Sequence, residues 1–170
     1  MFLGIDFGTS GCRAAVINAQ GELVTLCKED LPAPVIKGSS VSQDVEIWRS
    51  GLTQLINKVS EKVALEDIAA IAIDGTSGSV LLCDEQGKET GPALMYNDAS
   101  GSEIAAEIKN IAPENSGAHG ASSGLAKLAV LYDKLKSNTP VYATTQAGWL
   151  SGLLTGNFTF IDENNALKLG

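Results

Sequence analysis

Apolar and polar positions change rhythm several times along this chain, and each change marks a predicted element. Phe2 to Ile5 is a short apolar run, and Cys12 to Ile17 and Leu23 to Cys27 are two more. Asn18-Ala19-Gln20-Gly21 lies between the last two and has the composition of a hairpin turn. The opening is therefore an antiparallel three-strand meander. Leu31 to Ser40, with two prolines and a Gly-Ser-Ser stretch, reads as a loop. The period then lengthens: Val45, Trp48, Leu52, Leu55, Ile56, Val59 and Val63 recur at helical spacing, with Ser42 or Asp44 as candidate N-caps. Ile68 to Ile73 is continuously apolar, the pattern of a buried parallel strand.

Val80 to Cys83 is a further strand, turned by Asp84-Glu85-Gln86-Gly87, and Pro92 to Tyr96 is another extended piece. From there the pattern is helical. Ile104, Ile108 and Ile111 form a stripe stopped by Pro113. Leu125, Leu128, Leu131, Tyr132 and Leu135 form a second, capped by Ser122 or Ser123. Ala147, Leu150, Leu153 and Leu154 form a third, closed by Gly156. The order predicts an α/β fold with a mixed sheet: the meander, then parallel strand or strands, with flanking helices. The length fits one domain, and no interdomain linker shows in the composition.

Two of the strand ends share a motif. Phe2-Leu3-Gly4-Ile5-Asp6-Phe7 runs into Gly8-Thr9-Ser10-Gly11, and Ile71-Ala72-Ile73-Asp74 runs into Gly75-Thr76-Ser77-Gly78. The first is neither a GxxxxGK[ST] phosphate loop nor a dinucleotide fingerprint, because no Gly-Lys-Ser/Thr is present and the residues after Gly11 read as a strand. A glycine-rich hairpin turn can nonetheless aim backbone amides at a phosphate, with Gly8 and Gly11 tolerating positive φ and close approach. Thr9 and Ser10 add hydroxyls, and Asp6 suits Mg²⁺ held through water. The plainer alternative is a tight hairpin whose Asp caps its own turn.

Charge and cysteine content narrow the partners. A net charge of −8 argues against nucleic acid. Cys12, Cys27 and Cys83 show no CxxC spacing and lie in apolar segments, as buried free thiols do in a reducing compartment. With no signal peptide and no membrane-length apolar stretch, the expected location is cytoplasmic. His119, the single histidine, sits in a Gly-Ala-rich loop and reads as solvated. Trp48 and Trp149 fall on apolar stripes and read as core, Glu85, Glu89 and Glu103 as surface, and Asn97 and Asp98 as either sugar contacts or helix caps.

Residues 3–14, Leu3-Gly4-Ile5-Asp6-Phe7-Gly8-Thr9-Ser10-Gly11-Cys12-Arg13-Ala14, resemble the first phosphate-binding motif of the actin-like ATPase superfamily, and in particular of the FGGY carbohydrate kinases. Ile73 to Asp84, Met95-Tyr96-Asn97-Asp98, Ser122 to Leu128, Gln146 to Leu150 and Asn165 to Gly170 are similar to successive segments of the same family. The combination most resembles the D-ribulose and D-xylulose kinase branch of cyanobacteria and plants. The resemblance implies a ribonuclease-H-like fold, with ATP and Mg²⁺ as cofactors and a small sugar as substrate. It places Asp6 at the metal, Gly8, Thr9, Ser10 and Arg13 on the β- and γ-phosphates, and Asp74, Thr76, Ser77 and Lys127 at the sugar. For Lys127 the competing reading is a solvated helix lysine. The family's proton-accepting aspartate and adenosine pocket are expected beyond Gly170, in a missing C-terminal part, so the chain alone is expected to be inactive. The alternative is a stand-alone actin-like nucleotide-binding module.

Overall fold

The computed structural model describes residues 1–135 and 140–169. In chain order the strands and helices begin β1 (Phe2–Phe7), β2 (Gly11–Ile17), β3 (Leu23–Asp30), β4 (Val35–Lys37), β5 (Ser40–Gln43), α1 (Val45–Ser60), β6 (Ala70–Gly75) and β7 (Val80–Cys83). They continue with β8 (Ala93–Leu94), α2 (Ser102–Lys109), α3 (Gly124–Asp133), β9 (Tyr142–Thr145), α4 (Gln146–Thr155) and α5 (Glu163–Ala166). The backbone divides into two compact units. One comprises Met1–Ala33 and Glu46–Thr76, the other Pro34–Val45 and the chain from Ser77 onward. The division falls between Thr76 and Ser77, inside the second Gly-Thr-Ser-Gly motif.

The first unit is built on a sheet of order β3-β2-β1-β6. β1, β2 and β3 pair antiparallel, and β6 joins β1 in parallel, as the apolar pattern predicts. Alternation along the strands sorts the two faces. Leu3, Ile5 and Phe7 of β1 and Cys12, Ala14 and Val16 of β2 are buried. Helix α1 lies over this face: a Cβ on Gly51 would stand 2.8 Å from Leu31 Cδ2 and 3.4 Å from both Cys12 Sγ and Phe7 Cε1. Trp48, Leu52, Leu55 and Val59 give α1 its buried stripe. Lys58 anchors its far end on the Lys28 carbonyl and the Glu29 carboxylate.

The second unit carries an antiparallel sheet of order β4-β5-β8-β7-β9. All four residues of β7 are buried, and Val80, Leu94 and Val130 form a cluster on which Ile104, Leu128, Leu131 and Leu169 pack. Ser123 caps α3 by accepting from the Ala126 N–H at 3.2 Å. Gly156 ends α4 in the left-handed region, φ 71°. Phe158 is wedged between two glycines. A Cβ on Gly87 would fall 2.1 Å from its ring and one on Gly152 2.3 Å. Trp149, fully buried, donates its Nε1–H to the Gly87 carbonyl at 2.9 Å.

Several expectations are corrected. The predicted loop at 31–40 contains the strand β4 and leads into β5, turned at Gly38 with φ 61°. Its prolines precede the pairing residues and so remove no ladder hydrogen bond. The run at 68–73 is not buried as predicted: Ile71 is 48% exposed, because β6 is an edge strand paired only with β1 among the described residues. Val63, Ile111 and Leu135 lie just past the ends of their helices, Ile111 with 84% of its surface exposed. β9 and α5 carry no periodic signal of their own length. The cysteines are free and buried as expected, and burial is the leading cause that pushes the Cys12 thiol up to about 12 and Cys83 to about 11. Gly170 lies outside the described residues.

The glycine wedge gives a stability test. Gly152→Ala drives a methyl into an aromatic ring that has no room to retreat, and should cost about 1–3 kcal/mol of unfolding free energy. Gly91→Ala, whose new Cβ meets nothing within 4 Å, should stay within about 0.5 kcal/mol of wild type in the same denaturant titration. Equal stability of the two variants would refute the packing argument.

Candidate functional site

The parallel register of β1 and β6 pairs Phe2 with Ala70 and continues to Asp6 with Asp74 and Phe7 with Gly75. The two carboxylates therefore occupy equivalent positions on neighbouring strands, and the two glycine-rich loops leave the same edge of the sheet. On the other side of β1, Arg13 is the antiparallel partner of Asp6, and its Nε lies 3.0 Å from Asp6 Oδ2. Asp74, Asp6 and Arg13 thus form a row across three strands on the face opposite α1. They line a shallow depression of about 360 Å³ whose floor includes Gly4, Ala15, Leu26 and Ala72. Both ends of the ion pair are half-exposed, so it orients the side chains more than it stabilises the fold.

The first loop is a closed turn. Gly8 donates its N–H to the Gly11 carbonyl at 2.9 Å, and the Ser10 carbonyl accepts from Leu31 N–H at 2.9 Å. Neither Gly8 nor Gly11 uses the positive φ that glycine tolerates. Glycine is needed for clearance instead: a Cβ on Gly8 would stand 3.1 Å from the Gly11 oxygen, and one on Gly11 3.1 Å from the Glu29 oxygen. The Gly8 N–H is committed to the turn, while Thr9 is half-buried and Ser10 exposed.

The second loop begins against the first strand, where Thr76 N–H and Oγ1–H both donate to the Phe7 carbonyl, at 2.9 and 3.2 Å. Asp74 Oδ1 accepts from the Gly75 N–H at 2.8 Å. In the second unit Ser77 Oγ donates to Asn165 Oδ1 at 3.1 Å, and Asn165 Nδ2 donates to Asp162 Oδ2 at 2.7 Å. A carboxylate only accepts, so it fixes the Asn165 amide, which in turn makes Ser77 the donor. The Ser77 oxygen then has lone pairs to offer as an acceptor. Hydrogen bonds from Asn165 hold the Asp162 carboxyl below its usual range. Sequence reasoning did not assign Asn165 or Asp162 a role, although the Asp-x-x-Asn spacing of a capped turn is legible there: Asp162 caps α5.

Lys127 is not a solvated lysine. It is 0% exposed, and its Nζ lies 2.5, 3.1 and 3.4 Å from the carbonyl oxygens of Gly78, Met95 and Tyr96. Burial pushes its ammonium down to about 8, opposed by the nearby Asp98 charge. Asp98 is itself fully buried, accepting from Val41 N–H at 2.7 Å and from Ser100 N–H and Oγ–H at 3.0 and 2.7 Å. It closes a turn and does not cap α2, whose N-cap is Gly101. Exposed Asn97 makes no such anchor. A separate cavity of about 550 Å³ involves Ser102, Lys109, Glu114 and His119, with His119 Nε2 2.7 Å from the Pro113 oxygen.

The donor set is compatible with a magnesium–nucleotide phosphate group. No cluster of three or more His, Cys, Asp or Glu able to hold a metal exists among the described residues. Mg²⁺, however, is commonly held by one or two carboxylates, water and the substrate's own phosphates. Asp6, with Asp74 beside it, meets that requirement; a site needing several protein ligands it could not form.

Residues 1–124 match the N-terminal domain of the FGGY family of carbohydrate kinases. Xylulose kinase of Escherichia coli (strain K12) is 32% identical over 98 residues, which cover 58% of this chain and 20% of that protein. Glycerol kinase 1 of Pseudomonas aeruginosa is 29% identical over 151 residues, 87% of this chain and 28% of that protein. The chain thus spans about a fifth to just over a quarter of these relatives. The same backbone occurs in Plasmodium falciparum glycerol kinase with ADP, at a TM-score of 0.82 and 19% identity over 98% of this chain and 36% of that one. Xylulose kinase from Rhodospirillum rubrum superposes at 0.80 with 19% identity, over 99% and 37%. The fold is therefore shared with these kinases, and the chain belongs to the FGGY family of carbohydrate kinases through its N-terminal domain.

Proposed function

We propose that this chain supplies the first phosphate loop and the sugar-reading loop of an ATP-dependent kinase that phosphorylates a hydroxyl of a ketopentose, D-xylulose or D-ribulose. The observation that carries the reading is the pairing of Asp6 with Asp74, so that the two Gly-Thr-Ser-Gly motifs begin from neighbouring strand ends. The names of several relatives, which are xylulose kinases, favour the ketopentose, and glycerol kinases among them supply the competing substrate.

In this reading Thr9, Ser10 and Arg13 hold the β- and γ-phosphates of ATP, with Gly8 shaping the turn. Asp6 holds Mg²⁺ through water, and Arg13 orients that carboxylate. The metal supplies charge neutralisation on the transferring phosphoryl group. Asp74, Thr76 and Ser77 face the sugar, Ser77 as an acceptor because its own proton is given to Asn165. A polyol bound by matched donors and acceptors is discriminated from analogues that lack a hydroxyl, since the unmatched partner stays unpaired. The role of proton acceptor is assigned here to neither Asp6 nor Asp74, following the family resemblance. That base is proposed to lie in the remainder of the protein, beyond Gly170, and the 170-residue chain by itself should release no ADP on addition of sugar.

Two substitutions in the full-length protein test the division of labour. Coupled ADP release is measured against D-xylulose, D-ribulose, pentitols and glycerol. Asp6→Ala should lower kcat by about 100-fold or more with every acceptor, the scale of losing an electrostatic stabiliser of the transition state. Ser77→Ala should raise KM for the preferred sugar roughly tenfold and change the ranking within the panel. A Ser77→Ala profile identical to wild type would remove the second loop from sugar recognition. ATP binding without phosphorylation of any acceptor by the full-length protein would replace the kinase reading with that of a nucleotide-binding module.

A further inference from the structure

Lys127 is the largest buried charged side chain among the described residues, and it faces backbone oxygens, not a carboxylate or solvent. An ammonium has three N–H groups, and three carbonyls surround this one. They come from two separate segments: Gly78 ends the second Gly-Thr-Ser-Gly loop, and Met95 and Tyr96 follow β8. Gly78 is left-handed, φ 84°, and a Cβ there would stand 3.8 Å from Tyr96 Cβ and 3.9 Å from Lys127 Nζ. The two segments therefore pass within van der Waals distance, with the ammonium as their common ligand.

The arrangement is a poor device for stability alone. A buried ammonium loses its hydration, and its nearest counter-charge, Asp98, already receives hydrogen bonds from Val41 and Ser100. An apolar side chain of similar length would fill the same space without that cost. What an apolar side chain cannot do is hold three carbonyls at one point.

We propose that Lys127 is a positioning residue for the sugar-reading loop: its ammonium gathers the carbonyls of Gly78, Met95 and Tyr96 and so fixes Ser77–Gly78 against the Met95–Tyr96 segment. Lys127 then sets where the Ser77 oxygen is presented, without touching the sugar, and its N–H groups are spent on the backbone. This rests on the reading that Ser77 contacts the sugar.

The test uses Lys127→Met, which keeps length and bulk, and Lys127→Gln, which keeps N–H donors, both in the full-length protein that carries this chain. The Met variant should raise KM for the preferred sugar about tenfold or more while KM for ATP stays within about twofold, and the Gln variant should recover part of the loss. Amide hydrogen exchange at residues 76–80 and 95–98 should accelerate about tenfold in the Met variant, with residues 1–33 unchanged. A folded Met variant with wild-type sugar KM and unchanged exchange would overturn the proposal. So would a uniform loss of stability that moves both KM values together, or failure of both variants to fold, since each makes Lys127 a general fold determinant. Wild-type protein that phosphorylates no acceptor would defeat the kinase reading instead, and the exchange measurement would still decide whether Lys127 fixes the loop.

Discussion

The arrangement of this site depends on one backbone pairing, the parallel ladder between β1 and β6. Side chains alternate across a strand with a period of two, so a slip of one residue would turn Asp74 to the α1 side and bring Ile73 beside Asp6. The observed register is held from both sides. On the α1 face Leu3, Ile5 and Phe7 are buried beneath the apolar stripe of α1, and any slip by an odd number of residues would take Ile71 and Ile73 off that face. At the loop end Thr76 gives two hydrogen bonds to the Phe7 carbonyl, pinning the exit of β6 to the last residue of β1. Apolar burial on one face thus fixes the chemistry on the other.

The twin loops share a sequence and achieve rigidity by different means. The first is a short hairpin connection, closed by its own Gly8–Gly11 hydrogen bond and tight enough that its glycines are required for clearance. The second lies between β6 and β7, strands that belong to different compact units. Its left-handed glycine and its Ser77 hydroxyl are held by side chains far along the chain, Lys127 and Asn165. Such bracing uses buried polar groups, which are tolerated only when fully hydrogen-bonded. Buried Asp98 shows the same economy, accepting three donors at a turn.

Much of the fold was legible because its signals are local. The three-strand meander, the α1 stripe, the Ser123 cap and the Gly156 stop each follow from periodicity or from a single turn residue. β4, β5 and β9 were not legible, since strands of three or four residues with mixed polarity draw their stability from neighbours distant in sequence. The exposure of Ile71 was hidden for a related reason: a continuous apolar run reports composition and says nothing of whether a strand has a partner on its second side. Among the site residues, Asp6, Thr9, Ser10, Asp74 and Ser77 stood out because a motif repeats around them. The carbonyl-binding role of Lys127 could not be read, because the oxygens it meets belong to backbone that any sequence would carry.

The unpaired side of β6 bears on how this chain behaves in isolation. Ala70-Ile71-Ala72-Ile73 is a short, uncharged, β-prone segment whose outer row of N–H and C=O groups meets no other strand among the described residues. The same sheet ends on its opposite side at β3, where Leu23, Val24 and Leu26 are exposed. Bare edges of this kind recruit strands from other molecules unless charge, proline or a covering element blocks them, and β6 has neither charge nor proline over these four residues. Expressed alone, the chain should therefore self-associate as its concentration rises, and a lysine placed at Ile71 would be the simplest way to keep it monomeric.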